Sequence, residues 1–425
     1  MAFSFPRHRP DFWTWITISI VAVLCILLIL PILRVLTLGF IDPDTGSLTL
    51  DNFIEVFTRN YYLNGLKNTL FVGALGTLGA CLIGIPLAFF TTRFLITGKT
   101  LISTLAILVL VSPPFISAYA WIMMMGSNGV ITNFFGGIGI NIPTIYGAHG
   151  IILVFSLKFF PFIFLMTQTA LTAVNKSFED AAENLGCSPW QRFVKVTLPL
   201  VFPAVSTGAI ICFVLSIADF GTPAILGRGF RTLSTIALSA YRSELGGPPT
   251  MAVTVSILMM AISMIALVAQ RRILANRRYA SSLTNLPVAV KLSGWKNAAV
   301  HFFSHGIVFL AMLPSAVVVY TSFLKTKGPV FVGGFGLESY DRIWRDAPDA
   351  IYNSFLFAII AVTFITITSG LISYVIVRRD TKAAAAIDFL MMVPYLVPGV
   401  VMAIGFVTVF RNGMPNFFAP AFLLV

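Results

Sequence analysis

Nine long apolar segments constrain this chain more than any other feature. They run approximately over residues 12–39, 65–90, 100–126, 149–173, 199–220, 251–270, 298–324, 351–377 and 386–410. About 20 apolar residues in a helix span the ~30 Å hydrocarbon core of a bilayer. Inside lipid, backbone polar groups must find partners within the segment, so helices are the expected form. Only 10% of the residues are charged and 57% are hydrophobic, against roughly 25% charged in a soluble domain. A soluble protein built this way would aggregate. The fold class expected is an all-α polytopic membrane protein.

The formal charge of +12 does not point to nucleic acid, because the basic residues sit in short clusters between the apolar blocks. They read better as topology signals. With the N-terminus inside, 16 Lys and Arg fall in inner segments and 10 in outer ones. The expected orientation is therefore N-terminus cytoplasmic. Arg7 and Arg9 flank the first apolar run like the basic end of a signal peptide. That run is too long for a signal core and lacks a small-x-small cleavage site, so it reads as an uncleaved first span. Cys25, Cys81, Cys187 and Cys212 are scattered and suggest inert thiols. His8, His149, His301 and His305 suggest no shared metal centre. No cofactor is expected, and no phosphate-binding loop or nucleophile constellation points to catalysis.

The chain repeats itself. LDNFIEVF followed by the stretch from Lys67 to Arg93 parallels LESYDRIW followed by Tyr352 to Arg378. Asn68 matches Asn353, Arg93 matches Arg378, and each copy leads to a proline-interrupted helix, around Pro113–Pro114 and Pro394–Pro398. Two tandem modules explain this pattern: 1–270 with about six membrane helices, a cytoplasmic linker 271–297, and 298–425 with about three. Nothing in the second copy corresponds to 175–199, so the second module reads as incomplete.

The segment from Asn175 to Pro203 is the most informative stretch. Ser177 and Asp180 form a capping-box pattern, and Glu179, Asp180 and Glu183 load the first half of a helix with negative charge. Gly186 suits a helix stop. Ser188, Pro189 and Gln191 look like an N-cap, a first-turn proline and a second capping box. Leu198–Pro199 is expected to end that helix and start the next span. Ala181 and Ala182 leave a helix face without bulk, and Trp190, Phe193 and Val196 recur at helical spacing. Local physics fits either a docking elbow for another protein or an amphipathic connector packed on its own membrane domain.

The pattern D-A-A-x-x-x-G, nine residues, then V-x-L-P, carried by Asp180, Ala181, Ala182, Gly186, Val196, Leu198 and Pro199, resembles the EAA loop of binding-protein-dependent ABC importer permeases. Asp180 stands where that family usually has Glu. The resemblance implies a type I ABC importer permease fold, with this loop, Glu179 included, as the coupling element that docks on a cytoplasmic ATPase dimer. It further implies a periplasmic substrate-binding protein as partner and ATP hydrolysis by the ATPase, not by this chain. The segment from Ile217 to Ser243 is most similar to fused ferric-iron permeases, with thiamine and 2-aminoethylphosphonate permeases as alternatives.

Charges inside spans are few. Lys158 stands in mid-segment, either facing an anionic substrate or paired within the bundle. Asp219 lies at the outer end of span five, as a gate element, a contact for the docked binding protein or a solvated helix end. Pro113 and Pro114 must interrupt span three, lining a pathway or only kinking it. The glycine-rich, uncharged loop Gly126–Gly150 is expected outside, as a candidate dock for the binding protein. A competing class is an ion-coupled secondary transporter, which requires acidic or histidine relays in the spans and no docking loop. Another is an inactive, truncated permease.

Overall fold

The computed structural model describes residues 11–42, 45–243, 249–275, 288–327, 330–379, 381–393 and 397–411. Arg7, Arg9, most of the basic linker and Pro394 lie outside these residues. The main helices, in chain order, are α1 (Phe12–Gly39), α2 (Asn60–Arg93), α3 (Lys99–Val111), α4 (Pro114–Met125) and α5 (Ala148–Ala173). They continue as α6 (Lys176–Asn184), α7 (Pro189–Ala218), α8 (Thr250–Ala275), α9 (Gly294–Ser322), α10 (Pro348–Arg378), α11 (Lys382–Met392) and α12 (Gly399–Phe406). One two-stranded antiparallel hairpin, Leu324–Lys327 with Val330–Phe335, is the sheet among the described residues.

Seven of these helices are long and apolar enough to cross a membrane. Two of the nine expected spans are not continuous. The third breaks between α3 and α4 with a bend of 103°. Pro114 lacks an N–H, and a proline disfavours the helical region for the residue before it. Ser112 and Pro113 accordingly take extended ψ values of 123° and 141°. The ninth divides into α11 and α12, with Pro398 extended at ψ 142° before the second piece.

The chain forms two compact units. One holds residues 55–239 and 261–322, the other residues 1–54, 240–260 and 323–425. In the first, α5 is the central helix, and Phe155, Phe160, Ile163 and Phe164 are fully buried. Lipid gives no hydrophobic drive for helices to associate, so close van der Waals packing by small residues must supply it. α2 presents Gly76, Gly79 and Gly84 to α5: a Cβ at Gly76 would lie 2.8 Å from Phe155 Cβ, and one at Gly84 2.9 Å from the Phe160 carbonyl oxygen. Gly208 brings α7 equally close, 3.0 Å from Ile163 Cα. Backbone atoms cannot rotate away. Gly84→Val should therefore lower stability by about 1–3 kcal/mol or more, read as an earlier thermal transition in detergent by fluorescence-detected size exclusion. An unchanged transition would mean that the α2–α5 approach is looser than described.

In the second unit, the first half of α1 packs Ile20 against Val375, Ala384 and Ile387. Trp13 stacks on Tyr374 with centroids 4.0 Å apart, and Arg379 pairs with Asp11. The second half of α1 joins Val35 to Val253, Ile257, Val397 and Val401. None of the most apolar window of α10 is buried among the described residues.

Candidate functional site

The loop after α5 folds as two helical pieces around a glycine elbow, with two differences from the sequence reading. The first concerns the cap. Asn175, not Ser177, is the N-cap: its side-chain oxygen accepts the Ser177 N–H at 2.9 Å, and α6 begins at Lys176. Ser177 thus lies inside the helix and cannot close a box with Asp180, which instead sits 3.9 Å from Lys176. The second concerns the end of the other piece. Leu198–Pro199 does not terminate a helix. A π turn over Phe193–Thr197 carries α7 through the proline without a break. The wider turn is how the helix accommodates a residue that lacks an N–H and whose ring crowds the preceding turn.

The elbow forms as expected. Gly186 has φ +82°, its N–H donates to the Glu183 carbonyl at 2.8 Å, and the Cys187 N–H donates to the Ala182 carbonyl at 3.0 Å. This is a Schellman stop, and the left-handed residue is why glycine stands there. Ser188 and Gln191 form the capping box reciprocally, with Pro189 in the first turn. Arg192 pairs with Glu183 across the elbow. Ala181 and Ala182 do not share a bare face: Ala181 is exposed and Ala182 is buried. The apolar stripe also divides, with Trp190 71% exposed while Phe193 packs edge-on to Phe89 at 4.8 Å. Val196 is half-buried. The apolar surface offered outward is instead Phe178, Leu185 and Trp190.

Glu179 does not face outward. Its Oε1 accepts from the Arg93 guanidinium at 2.6 Å and from the Thr197 hydroxyl at 2.8 Å. The Arg93 side chain is 8% exposed and that of Glu179 19%. One carboxylate thus ties α6 to the last residue of α2 and to the π turn of α7. The Arg93 carbonyl in turn accepts the Val290 N–H at 2.9 Å, and Leu95 N–H donates to the Val290 carbonyl at 3.1 Å. Sequence reading placed Glu179 in the loop but missed Arg93 and Thr197 as its partners. The available signal was an arginine closing a 34-residue helix otherwise nearly free of charge.

The four membrane candidates converge in the same unit. Lys158 and Asp219 form a buried ion pair, Nζ to Oδ2 at 2.7 Å, with side chains 10% and 4% exposed. Asp219 also accepts the Thr222 N–H at 2.9 Å and the Thr222 hydroxyl at 3.2 Å. Its carbonyl takes the Ser234 hydroxyl at 3.0 Å. Of the two readings of Lys158, pairing within the bundle is the arrangement seen, and Asp219 is not a solvated helix end. Ser112 and Ser117 on either side of the Pro113–Pro114 break line a small pocket with Lys158, Pro314 and Ser315. Pro114 lies against Gly221, where a Cβ would be 3.1 Å away, and Phe115 meets Phe220 edge-on at 5.2 Å. The break therefore abuts the short helix Gly221–Leu226 that follows Asp219. Among the described residues no three His, Cys, Asp or Glu side chains converge as a metal site.

The elbow and the broken span lie within one stretch of the chain. Residues 80–279, which include both, match the family described as binding-protein-dependent transport system inner membrane component. Residues 80–279 belong to that family. A putative ferric transport system permease protein of Haemophilus influenzae is 27% identical over 92% of this chain and 64% of its own length. A ferric transport system permease protein of Actinobacillus pleuropneumoniae is 26% identical over 93% of this chain and 58% of its own. The chain thus spans about 60% of the length of these relatives. A solved bacterial ABC transporter involved in alginate import covers 61% of this chain and 96% of that one, at 18% identity and a TM-score of 0.49.

Proposed function

We propose that this chain is the inner-membrane permease of an ATP-binding-cassette importer with the type I fold, in two tandem modules. A periplasmic binding protein delivers the cargo, and an ATPase dimer docks on residues 175–199. The observation that carries this reading is the elbow itself. Its exposed tip offers Phe178, Leu185 and Trp190 to a partner, while Glu179 ties its base to α2 and α7. Force applied to the tip is thereby passed to two membrane helices. Asp180, Ala181, Ala182, Gly186, Val196, Leu198 and Pro199 form the docking segment, and ATP is hydrolysed by the partner. Cargo passes beside the Pro113–Pro114 break and the Lys158–Asp219 pair. Ferric iron is the cargo favoured, on the names of the relatives that match most of the chain; thiamine and 2-aminoethylphosphonate are the alternatives.

Gly186→Ile tests the docking assignment. No heavy atom lies within 4 Å of a Cβ at Gly186, so the substitution acts through backbone strain at φ +82° rather than through crowding. Left-handed backbone costs an L-residue about 1–2 kcal/mol, roughly a 5–30-fold loss in the population of the elbow. Co-purification of the ATPase and uptake into proteoliposomes should fall together. If both persist unchanged, residues 175–199 are not the docking segment. The ligand retained by the binding protein encoded nearest to this gene then chooses among iron, thiamine and phosphonate.

A further inference from the structure

Two arginines stand at the end of the first unit opposite the docking elbow. α5 carries 26 residues, about 39 Å at 1.5 Å per residue. The elbow follows its C-terminus and Tyr146 precedes its N-terminus. Arg228 lies with its guanidinium carbon 3.3 Å from the Tyr146 ring centroid, and that of Arg231 is 5.3 Å from Tyr61. Both arginines are exposed. Among the described residues, neither takes part in an ion pair.

The loop that carries them is held in place. Gly147 N–H donates to the Leu226 carbonyl at 2.8 Å, and the Asn68 side chain donates to the Arg231 carbonyl at 2.9 Å. Leu233 N–H donates to the Thr69 hydroxyl at 2.8 Å. Arg228 has φ +42° and is the non-glycine residue with positive φ among those described. Such a backbone is uncommon outside glycine, asparagine and aspartate. A stacked guanidinium uses its face on the ring and leaves its N–H edge free for the two oxygens of a carboxylate. Two forks fixed in advance gain most against a partner whose carboxylates are also fixed, which is a folded acidic surface rather than fluid lipid.

We infer that Arg228 and Arg231 form a cationic docking point for an acidic surface of the periplasmic binding protein. This rests on the importer reading, which sets the elbow in the cytoplasm and these arginines outside. The test uses the assembled transporter, with its ATPase, in neutral-lipid nanodiscs and the purified binding protein encoded nearest to this gene. Arg228→Gly keeps the backbone conformation while removing the charge, and Arg231→Gln keeps a polar side chain. The double variant should raise the Kd for the binding protein about tenfold or more and flatten its salt dependence. ATPase activity without binding protein should match the wild type. Arginines placed on the acidic face of the binding protein should restore affinity to Arg228→Glu/Arg231→Glu. An unchanged Kd and salt slope in the double variant, with wild-type stimulation intact, overturns the docking point. So does a defect that arises only in membranes containing anionic lipid, which would make the arginines a headgroup site. A wild-type transporter that neither binds nor is stimulated by the binding protein overturns the importer reading, and the docking point with it.

Discussion

Arg93→Ala is expected to uncouple the elbow from the membrane helices without unfolding the bundle. The Glu179 carboxylate would keep only the Thr197 hydroxyl, in surroundings where its side chain is 19% exposed. Removing one partner of a buried ion pair costs about 3–5 kcal/mol, mostly because the other charge is left uncompensated. That energy is local. It falls on the contact between α6, the end of α2 and the π turn of α7, while Phe155, Phe160 and Phe164 in α5 are untouched. Amide exchange should accelerate over 175–197 and remain slow in α5, and uptake should fall at least about tenfold, the equivalent of 1.4 kcal/mol. Arg93→Lys should recover part of the loss, since it restores the charge but not the planar fork. The reversed pair Arg93→Glu/Glu179→Arg should recover more uptake than either single change. Unaltered exchange over 175–197 in Arg93→Ala would show that Glu179 is held by something else.

Much of this site was legible in the sequence, and the gaps have physical reasons. Gly186 and the Ser188–Gln191 box were readable because caps and left-handed glycines are local events, decided by residues within one turn. The start of α6 was not, because Asn175 and Ser177 are both acceptable caps and only one can be used. The passage through Leu198–Pro199 was missed for a related reason. A proline usually ends a helix, and a π turn that accommodates it leaves no composition signal. The Arg93–Glu179 and Lys158–Asp219 pairs join residues 86 and 61 positions apart, beyond any periodicity argument. The tandem repeat adds a further contrast. Arg378 occupies the offset of Arg93, yet it is exposed, and no ion pair among the described residues includes it. The repeat foretold where an arginine would end each helix, and only the fold decides which arginine finds a carboxylate.

Lys158 and Asp219 allow fold and transport to be separated. Lys158→Met alone leaves a carboxylate 4% exposed with no cation, and Asp219→Asn alone strands the ammonium. Each should destabilise by about 3–5 kcal/mol and reduce the folded yield. The double variant Lys158→Met/Asp219→Asn removes both charges, and the asparagine oxygen can still accept the Thr222 N–H that now reaches Oδ1. Neutral replacement of a buried pair is often without cost or stabilising, because two desolvation penalties disappear with one attraction. The double variant should therefore melt close to the wild type or above it. If the pair only braces the bundle, transport should recover along with stability. Its position beside the pocket lined by Ser112 and Ser117 predicts otherwise: the double variant should fold normally, bind the ATPase and fail in uptake. A pathway charge has to be exchanged for cargo or released during opening, and a methionine can do neither. Restored folding with restored uptake would reduce Lys158 and Asp219 to a structural brace and move the pathway elsewhere in the bundle.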